Sequence, residues 1–578
     1  MDQDVRTRAR RNSPRAQFLS NIANGFLAAV ALAGLAACGG GGGGGNGGGG
    51  TPMTLSVRNT TPADGATGVS RKNGVVLTFS TTLDLATLSA STISLATAAG
   101  NQPVIASVAG NTLTIAPLFP LAPLLPYRVT VGIGLRGTGG EPLTAPITLS
   151  FTTADRQWQT ATRIEPTGPT TAEMPKVIAD RTGNAIAVWQ RRDGQTRSIW
   201  SNRYRVGAGW GTAVQISTIA SAMSIADEPE IDVDVSGNVV AVWEQMDNGV
   251  FGIWSNRDVA GTGTWGTAVQ IQTRTNATGT ALGPQVTFDA LGNALAVWAQ
   301  QESGVLGIWA NRYTAGVGWG TAVQIETNPG DADSPQVAFD RSSGKAFVVW
   351  NQRAGACTCI WSNQYTVANG WGTPKMIASG SAVSAFSPRI SVDGFGNAYA
   401  VWTQSENGTQ FDIWSNRFAA GGDWTTAVMI DDHMGGAGSP KIVADASGNA
   451  YVVWEQSQTS APGLSIRWNL YKAGTGWGTA GLVAPAVDAL GQTGGNPEIA
   501  FDPNGIAHAV WEHGDAVQTH VRSSRLVPFA NGWSQPLDAG STDSAANPAI
   551  ASDPNGDVTA VWEQTDGTGV SVWSNRFE

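Results

Sequence analysis

At 578 residues the chain is too long for one ordinary core, so several units or a repeat array are expected. Charged residues make up 13% of it, while Gly (73) and Trp (23) are abundant, a balance that suits an all-β extracytoplasmic protein. The net charge of −10 argues against nucleic-acid binding, because no basic stripe exists to meet phosphates, and no cofactor is expected.

The N-terminus points to a location. Residues 1–24 are polar and carry Arg6, Arg8, Arg10, Arg11 and Arg15, followed by an apolar run from Phe26 to Ala37. That run is too short to span a bilayer as a helix. It ends in Leu35-Ala36-Ala37-Cys38, which resembles a bacterial lipoprotein signal peptide (residues 1–37) with its lipobox. The resemblance implies cleavage before Cys38 and a diacylglycerol on its sulfur. Lipid chains hold a protein at a membrane surface without a spanning helix. Gly39 stands where an inner-membrane retention signal would place Asp, which by family analogy favours the outer membrane of the cell envelope. Residues 38–50 are the lipidated Cys and a tether, all Gly from Gly39 to Gly50 except Asn46. Such a chain buries nothing and reaches about 20 Å.

Residues 51–153 alternate short strands (TLSVRNT, GVVLTFS, TISLATA, NTLTIAP, YRVTVGI and ITLSFTT) with turn words such as ADGATG and GTGGEP. That spacing suggests a β-sandwich. The segment resembles bacterial Ig-like domains of the S-layer type, on TPADGATGVS, LTFSTTLD, LAPLLPYRVTV and LSFTT. The resemblance implies a spacer or presentation module. Asp64 and Asp84 read as turn residues.

From residue 157 to 578 one word recurs, as in PKIVADASGNAYVVWEQ. It begins at Pro175, Pro229, Pro284, Pro335, Pro388, Pro440, Pro497 and Pro548, at intervals of 51 to 57 residues. Each unit holds strand A (P-x-[VI]-x-x-D), strand B ending in V-W, strand C (I-W-S-N-R-Y) and strand D (G-W-G-T-A-V-Q-I). Four antiparallel strands per repeat match a β-propeller blade. The last unit stops at VSVWSNRFE without strand D, and the missing strand stands before the first unit as QWQTATRIE at 157–165. The expected fold is therefore an Ig-like β-sandwich followed by an eight-bladed β-propeller, with an N-terminal strand closing the last blade. Closure removes exposed sheet edges.

Every Trp lies in the repeats. Eight end strand B (Trp189, Trp243, Trp298, Trp350, Trp402, Trp454, Trp511 and Trp562), and eight begin strand D. A residue present in every blade is expected to pack blade on blade rather than form a sugar-stacking ring. The eight Asp that end strand A (Asp180, Asp234, Asp289, Asp340, Asp393, Asp445, Asp502 and Asp553) precede turns such as SGN or PNG, and are expected to fasten them. The word loosely resembles the Asp-box of sialidases, S-x-D-x-G-x-T-W, but its spacing differs, so that family's catalytic residues are not carried over.

Positions that vary between units are free for function. The residue after the opening Pro reads Lys176, Glu230, Gln285, Gln336, Arg389, Lys441, Glu498 and Ala549. The residue after the strand B Trp reads Gln190, Glu244, Ala299, Asn351, Thr403, Glu455, Glu512 and Glu563, and the next is mostly Gln. Strands A and B form a hairpin, so both positions fall at one end, with the acidic loops of Asp331, Asp333, Asp431 and Asp432. This polar rim is the candidate binding face. In the seventh unit His513 and His520 flank a turn holding Asp515, a weak candidate for a metal against surface histidines without a common role. Cys357 and Cys359 read as a local disulfide or two plain thiols, ahead of a soft-metal site.

Two functions follow. One is a non-enzymatic, lipid-anchored binding or scaffolding protein that presents a propeller to a glycan or an envelope protein. The other is a sialidase-like glycoside hydrolase, which needs paired carboxylates and, for sialic acid, three arginines around the substrate carboxylate. Of the inner variable residues only Arg389 is an arginine, and the near-equal blades favour the binding reading.

Overall fold

A computed structural model describes residues 53–578, apart from 90, 99, 119, 169, 219–223, 248, 274–278, 379–383, 459–460, 486–492, 504, 515–516, 528–531 and 568. Cys38, the signal segment, the tether and Asp515 lie outside the described residues. The described residues are all-β, with one three-residue 3-10 turn at Leu85–Thr87 and no α-helix. No helix among them is long and apolar enough to cross a membrane. Two compact units divide between Arg156 and Gln157.

The first unit is a two-sheet sandwich. One sheet orders Val57–Thr61, Val75–Phe79, Thr112–Pro117 and Val104–Ala109; the other orders Ala66–Val69, Ile147–Thr153, Pro126–Val131, Ile93–Thr97 and Gly100–Gln102. Alternation dictates the faces: Val75, Leu77 and Phe79 are buried and meet Leu113, Ile115, Val129, Val131 and Phe151 in one core. Asp64 accepts from the Ser150 N–H (2.8 Å) and Asp84 from the Ala86 N–H (3.0 Å), so both serve turns.

The second unit repeats one hairpin-based module eight times. In the first repeat, strand A is Thr171–Ala179, strand B Ala185–Asp193 and strand C Thr196–Arg205, paired antiparallel in that order. Strand D is shorter than its sequence suggests. It splits into Gly209–Trp210 and Val214–Gln215, which pair with the end and the middle of strand C. The Asn202 side chain fills the gap, donating Nδ2 to the carbonyls of Gly211 (3.0 Å) and Ile164 (2.8 Å). The Asn at the equivalent place in strand C repeats this stitch: Asn256, Asn311, Asn363, Asn416, Asn469 and Asn575 each donate to a carbonyl of the strand before their own repeat.

Each strand A packs against the strand A of the next repeat, and Ala545–Ser552 of the eighth packs against Thr171–Ala179 of the first. Thr162–Arg163 pairs antiparallel with the final strand Val570–Phe577, Trp158 bridges Phe577, and the Ile164 N–H reaches the Val572 carbonyl at 3.0 Å. The repeats are not joined into one closed hydrogen-bonded sheet.

The Trp and Asp positions behave as their repetition implies. All eight strand B Trp are fully buried, each in a cluster with side chains of the preceding repeat. In six repeats the Gln two residues on accepts the indole N–H, as Gln404 does for Trp402 at 2.9 Å, which explains the repeated Gln. In six repeats the strand D Trp packs edge-on or tilted against the aromatic residue ending strand C, as Trp210 does against Tyr204 at 5.8 Å. Each Asp fastens its turn: Asp234 accepts from the N–H groups of Ser236 (2.8 Å) and Asn238 (2.9 Å), and Gly237 supplies the positive φ of 86°.

Candidate functional site

The site grows from a backbone irregularity present in every repeat. Where strand A meets strand B there is a bulge, from Glu173/Lys176 in the first repeat to Ala546/Ala549 in the eighth. The residue before each opening Pro lies in the left-handed region: Met174, Glu228, Gly283, Ser334, Ser387, Ser439, Asn496 and Asn547 have φ between 49° and 61°. Seven of these are not glycine, and eight repetitions of a strained conformation mean the fold enforces it.

Past the bulge, the varying residues come together. Lys176, Glu230, Lys441 and Glu498 line a cavity of about 230 Å³ with Ala549 and the left-handed residues Met174, Glu228, Asn496 and Asn547. Lys176 pairs with Glu230 at 2.6 Å, and Lys441 pairs with Glu498. The Glu230 carboxylate holds the Lys176 ammonium above its usual range despite burial. Lys441 is pushed down by burial and by the cations Arg389 and Lys176, against the pull of Glu498. Arg389 donates to the Pro388 carbonyl (2.9 Å). Gln285 and Gln336 occupy the same register in the third and fourth repeats, opposite Val297 and Val349.

Further along the strands a cavity of about 430 Å³ is lined by Val177, Val233, Val443, Ile499 and Ile550. Beside it Arg341 of the fourth repeat lies 3.7 Å from Asp232 of the second. Burial pushes the Asp232 carboxyl up, while Arg341 and the Phe288 N–H (2.8 Å) oppose that. Sequence reasoning passed over this pair, because nothing in the repeat word separates Asp232 and Arg341 from other charged strand residues.

The residue after the strand B Trp does a different job. Its side chain accepts the N–H of the left-handed residue in the next repeat. Glu563 takes the Met174 N–H (2.8 Å), Gln190 the Glu228 N–H (3.3 Å) and Glu244 the Gly283 N–H (2.6 Å). Glu455 takes the Asn496 N–H (3.2 Å) and Glu512 the Asn547 N–H (2.7 Å). Three also accept from within their own repeat: Ser439 Oγ donates to Glu455, Asn496 Nδ2 to Glu512 and Asn547 Nδ2 to Glu563, whereas Gln190 donates its Nε2 to Glu173 (3.0 Å). The result is a chain of latches between repeats. So these four rim glutamates are already engaged by the fold. The acidic loops are engaged too: Asp432 accepts from Gln456 (2.8 Å) and pairs with Arg467 (3.0 Å), and Asp431 accepts the Ile413 N–H (3.1 Å).

Three joints lack the latch. At them the position holds Ala299, Asn351 and Thr403, and no side chain accepts from the N–H of Ser334, Ser387 or Ser439 among the described residues. The signal was legible as Ser-Pro at 334, 387 and 439, opposite the three repeats without an acidic or Gln partner.

Glu244 is the most perturbed latch. Burial, then the neighbouring Glu228 carboxylate, push it up to about 8, against the Gly283 N–H. Its folded pKa lies above the ordinary value of 4.5, so the folded chain keeps a proton that the unfolded chain loses. The stability from this group is complete below pH 4.5 and is lost as pH rises through about 8. Glu244→Gln keeps the acceptor, as Gln190 does at the preceding joint. We expect urea unfolding of this variant to show a flatter decline in stability across that window. An unchanged slope assigns the proton elsewhere.

His513 and His520 are direct cross-strand partners. His513 is buried at the position that holds Gln in most repeats, and His520 Nδ1 lies 3.4 Å from Ser541 Oγ. No group of three or more metal-ligating side chains occurs among the described residues. Cys357 and Cys359 form a disulfide within strand C of the fourth repeat.

The chain is thus an all-β protein that joins an Ig-like unit to an array of four-stranded repeats. The bacterial Ig-like domain family matches residues 51–153. No curated protein matches the chain. Among solved structures it is similar to a protein of unknown function from Dyadobacter fermentans (10% identity, 73% of this chain and 99% of that one, TM-score 0.38). It is also similar to an alpha-L-arabinofuranosidase of Fusarium graminearum (11%, 71% and 98%, 0.38) and to an ulvan lyase (8%, 72% and 95%, 0.40). Likenesses at this level assign no activity to the chain.

Proposed function

We propose that the eight repeats form an eight-bladed β-propeller closed by residues 157–165, carried on a lipid-anchored Ig-like spacer, and that it binds a glycan or an envelope protein. The cyclic packing of the strands A and the pairing of Thr162–Arg163 with the last strand support the ring. The observation that carries the binding reading is the cavity where Lys176, Glu230, Lys441 and Glu498 converge at one end of the strands A. A hydrolase fits this face less well. A retaining pair needs carboxyls about 5 Å apart with a sugar between them. Here Glu244, Glu455, Glu512 and Glu563 all hold backbone N–H groups.

The test is full-length protein in detergent on a broad glycan array, with released sugar assayed in parallel. Binding without release is the expected result. Sugar release overturns it in favour of the hydrolase, and silence in both moves the search to protein partners. Anchoring has its own test. Cys38→Ser removes the acylated sulfur, so the protein should leave the membrane fraction for the soluble one. Retention in the membrane would refute the lipid anchor.

A further inference from the structure

We propose that the unlatched arc, centred on Arg389 and Phe386 of the fifth repeat, is a subsite for an acidic sugar. It seats a carboxylate or sulfate on the guanidinium and the sugar face on the phenyl ring. This rests on the glycan branch of the proposed function and narrows it.

Arg389 is the odd cation of the inner face. Lys176 and Lys441 each hold a glutamate, whereas Arg389 pairs with no carboxylate among the described residues. An anion arriving here meets a guanidinium that donates to the Pro388 carbonyl and holds no carboxylate among the described residues. In the latched arc the rim carboxylates Glu512 and Glu563 already accept backbone N–H groups.

The bulge shapes the rest. Its register sets Phe386 opposite Thr403 and Arg389 opposite Val401. A step of two on strand B returns to the same face, so Phe386 and Arg389 share one side of the sheet. Phe386 is 36% exposed and lies 5.3 Å from Phe411, forming an aromatic floor at solvent. Polar groups wait beside it. Thr403 Oγ1 (residue 1% exposed) and Asn351 Oδ1 have no hydrogen-bond partner, and they stand where the latched joints put Glu or Gln. Buried polar atoms left without a partner are rare and call for one. A planar guanidinium, an exposed aromatic face and unsatisfied hydroxyl and amide groups together match a charged pyranose.

The experiment uses full-length protein in detergent and isothermal titration with polygalacturonate, dextran sulfate, dextran and polyglutamate. Polygalacturonate should bind and dextran should not. Binding of dextran sulfate as well supports a general anion seat, and its absence a carboxylate-selective one. Arg389→Gln should weaken binding about tenfold, and Phe386→Ala by roughly threefold or more. Arg389→Lys keeps the charge without the fork and should fall between, which covers the case where Arg389→Gln melts early. Equal binding of dextran and polygalacturonate, or native-melting Arg389→Gln with wild-type affinity, overturns the subsite. In both cases the broader glycan reading survives. Tighter binding of polyglutamate also overturns it. If no glycan binds at all, both readings fall.

Discussion

Trp402→Ala should lower the unfolding free energy of the repeat array by about 4 kcal/mol, the range for emptying a large aromatic site in a packed core. Trp402 is fully buried among Phe347, Val349 and Ile360 of the preceding repeat, so the ring is the contact between two repeats. Its indole N–H also satisfies Gln404 Oε1 (2.9 Å), itself wholly buried, and truncation leaves that oxygen alone. Trp414 on strand C is only partly buried, and its alanine variant should lose about half as much. Urea unfolding of both variants, compared at constant slope, checks the order. Equal losses would mean that packing between repeats does not rest on the strand B position.

Glu563→Ala should destabilise by about 3 kcal/mol, because it removes two hydrogen bonds to a carboxylate and strands a backbone donor. The two donors are the Met174 N–H and Asn547 Nδ2, both at 2.8 Å. The contrast is Thr403→Ala at the equivalent position of the fifth repeat. Its Oγ1 has no partner, so removing it should change stability by about 1 kcal/mol or less. The pair tests whether the latches, rather than the position, stabilise the packing of the repeats. Equal effects would sink the latch. The Glu563 joint also lies between the eighth and the first repeats, so its loss bears on the packing of the last repeat against the first.

Much of this was legible in the sequence. The period, strands A to C of each repeat, the turn-fastening Asp and the packing Trp all appear as written. Each is enforced by interactions inside one repeat or between identical neighbours, and so recurs visibly. The split of strand D was not legible, because G-T-A reads as strand until the Asn side chain of the adjacent strand C takes the Gly211 carbonyl. The rim was legible as a set of varying positions, but not as two sets with different tasks. Glu455 and Glu512 look like free carboxylates in the sequence. They are latches because a left-handed residue in the next repeat turns its N–H towards them.

The sequence by itself determined the all-β class, the Ig-like first unit and the repeated module with its fixed residues, since local pattern and turn chemistry act over a few residues. It also marked which positions were released from that pattern. Only the tertiary structure decided what the released positions do. A charge's role depends on which partner from another repeat reaches it. Lys176 and Lys441 find glutamates, the rim glutamates find backbone donors, and Arg389 finds neither. Those pairings span 35 residues of chain or more, and no local rule of sequence encodes them.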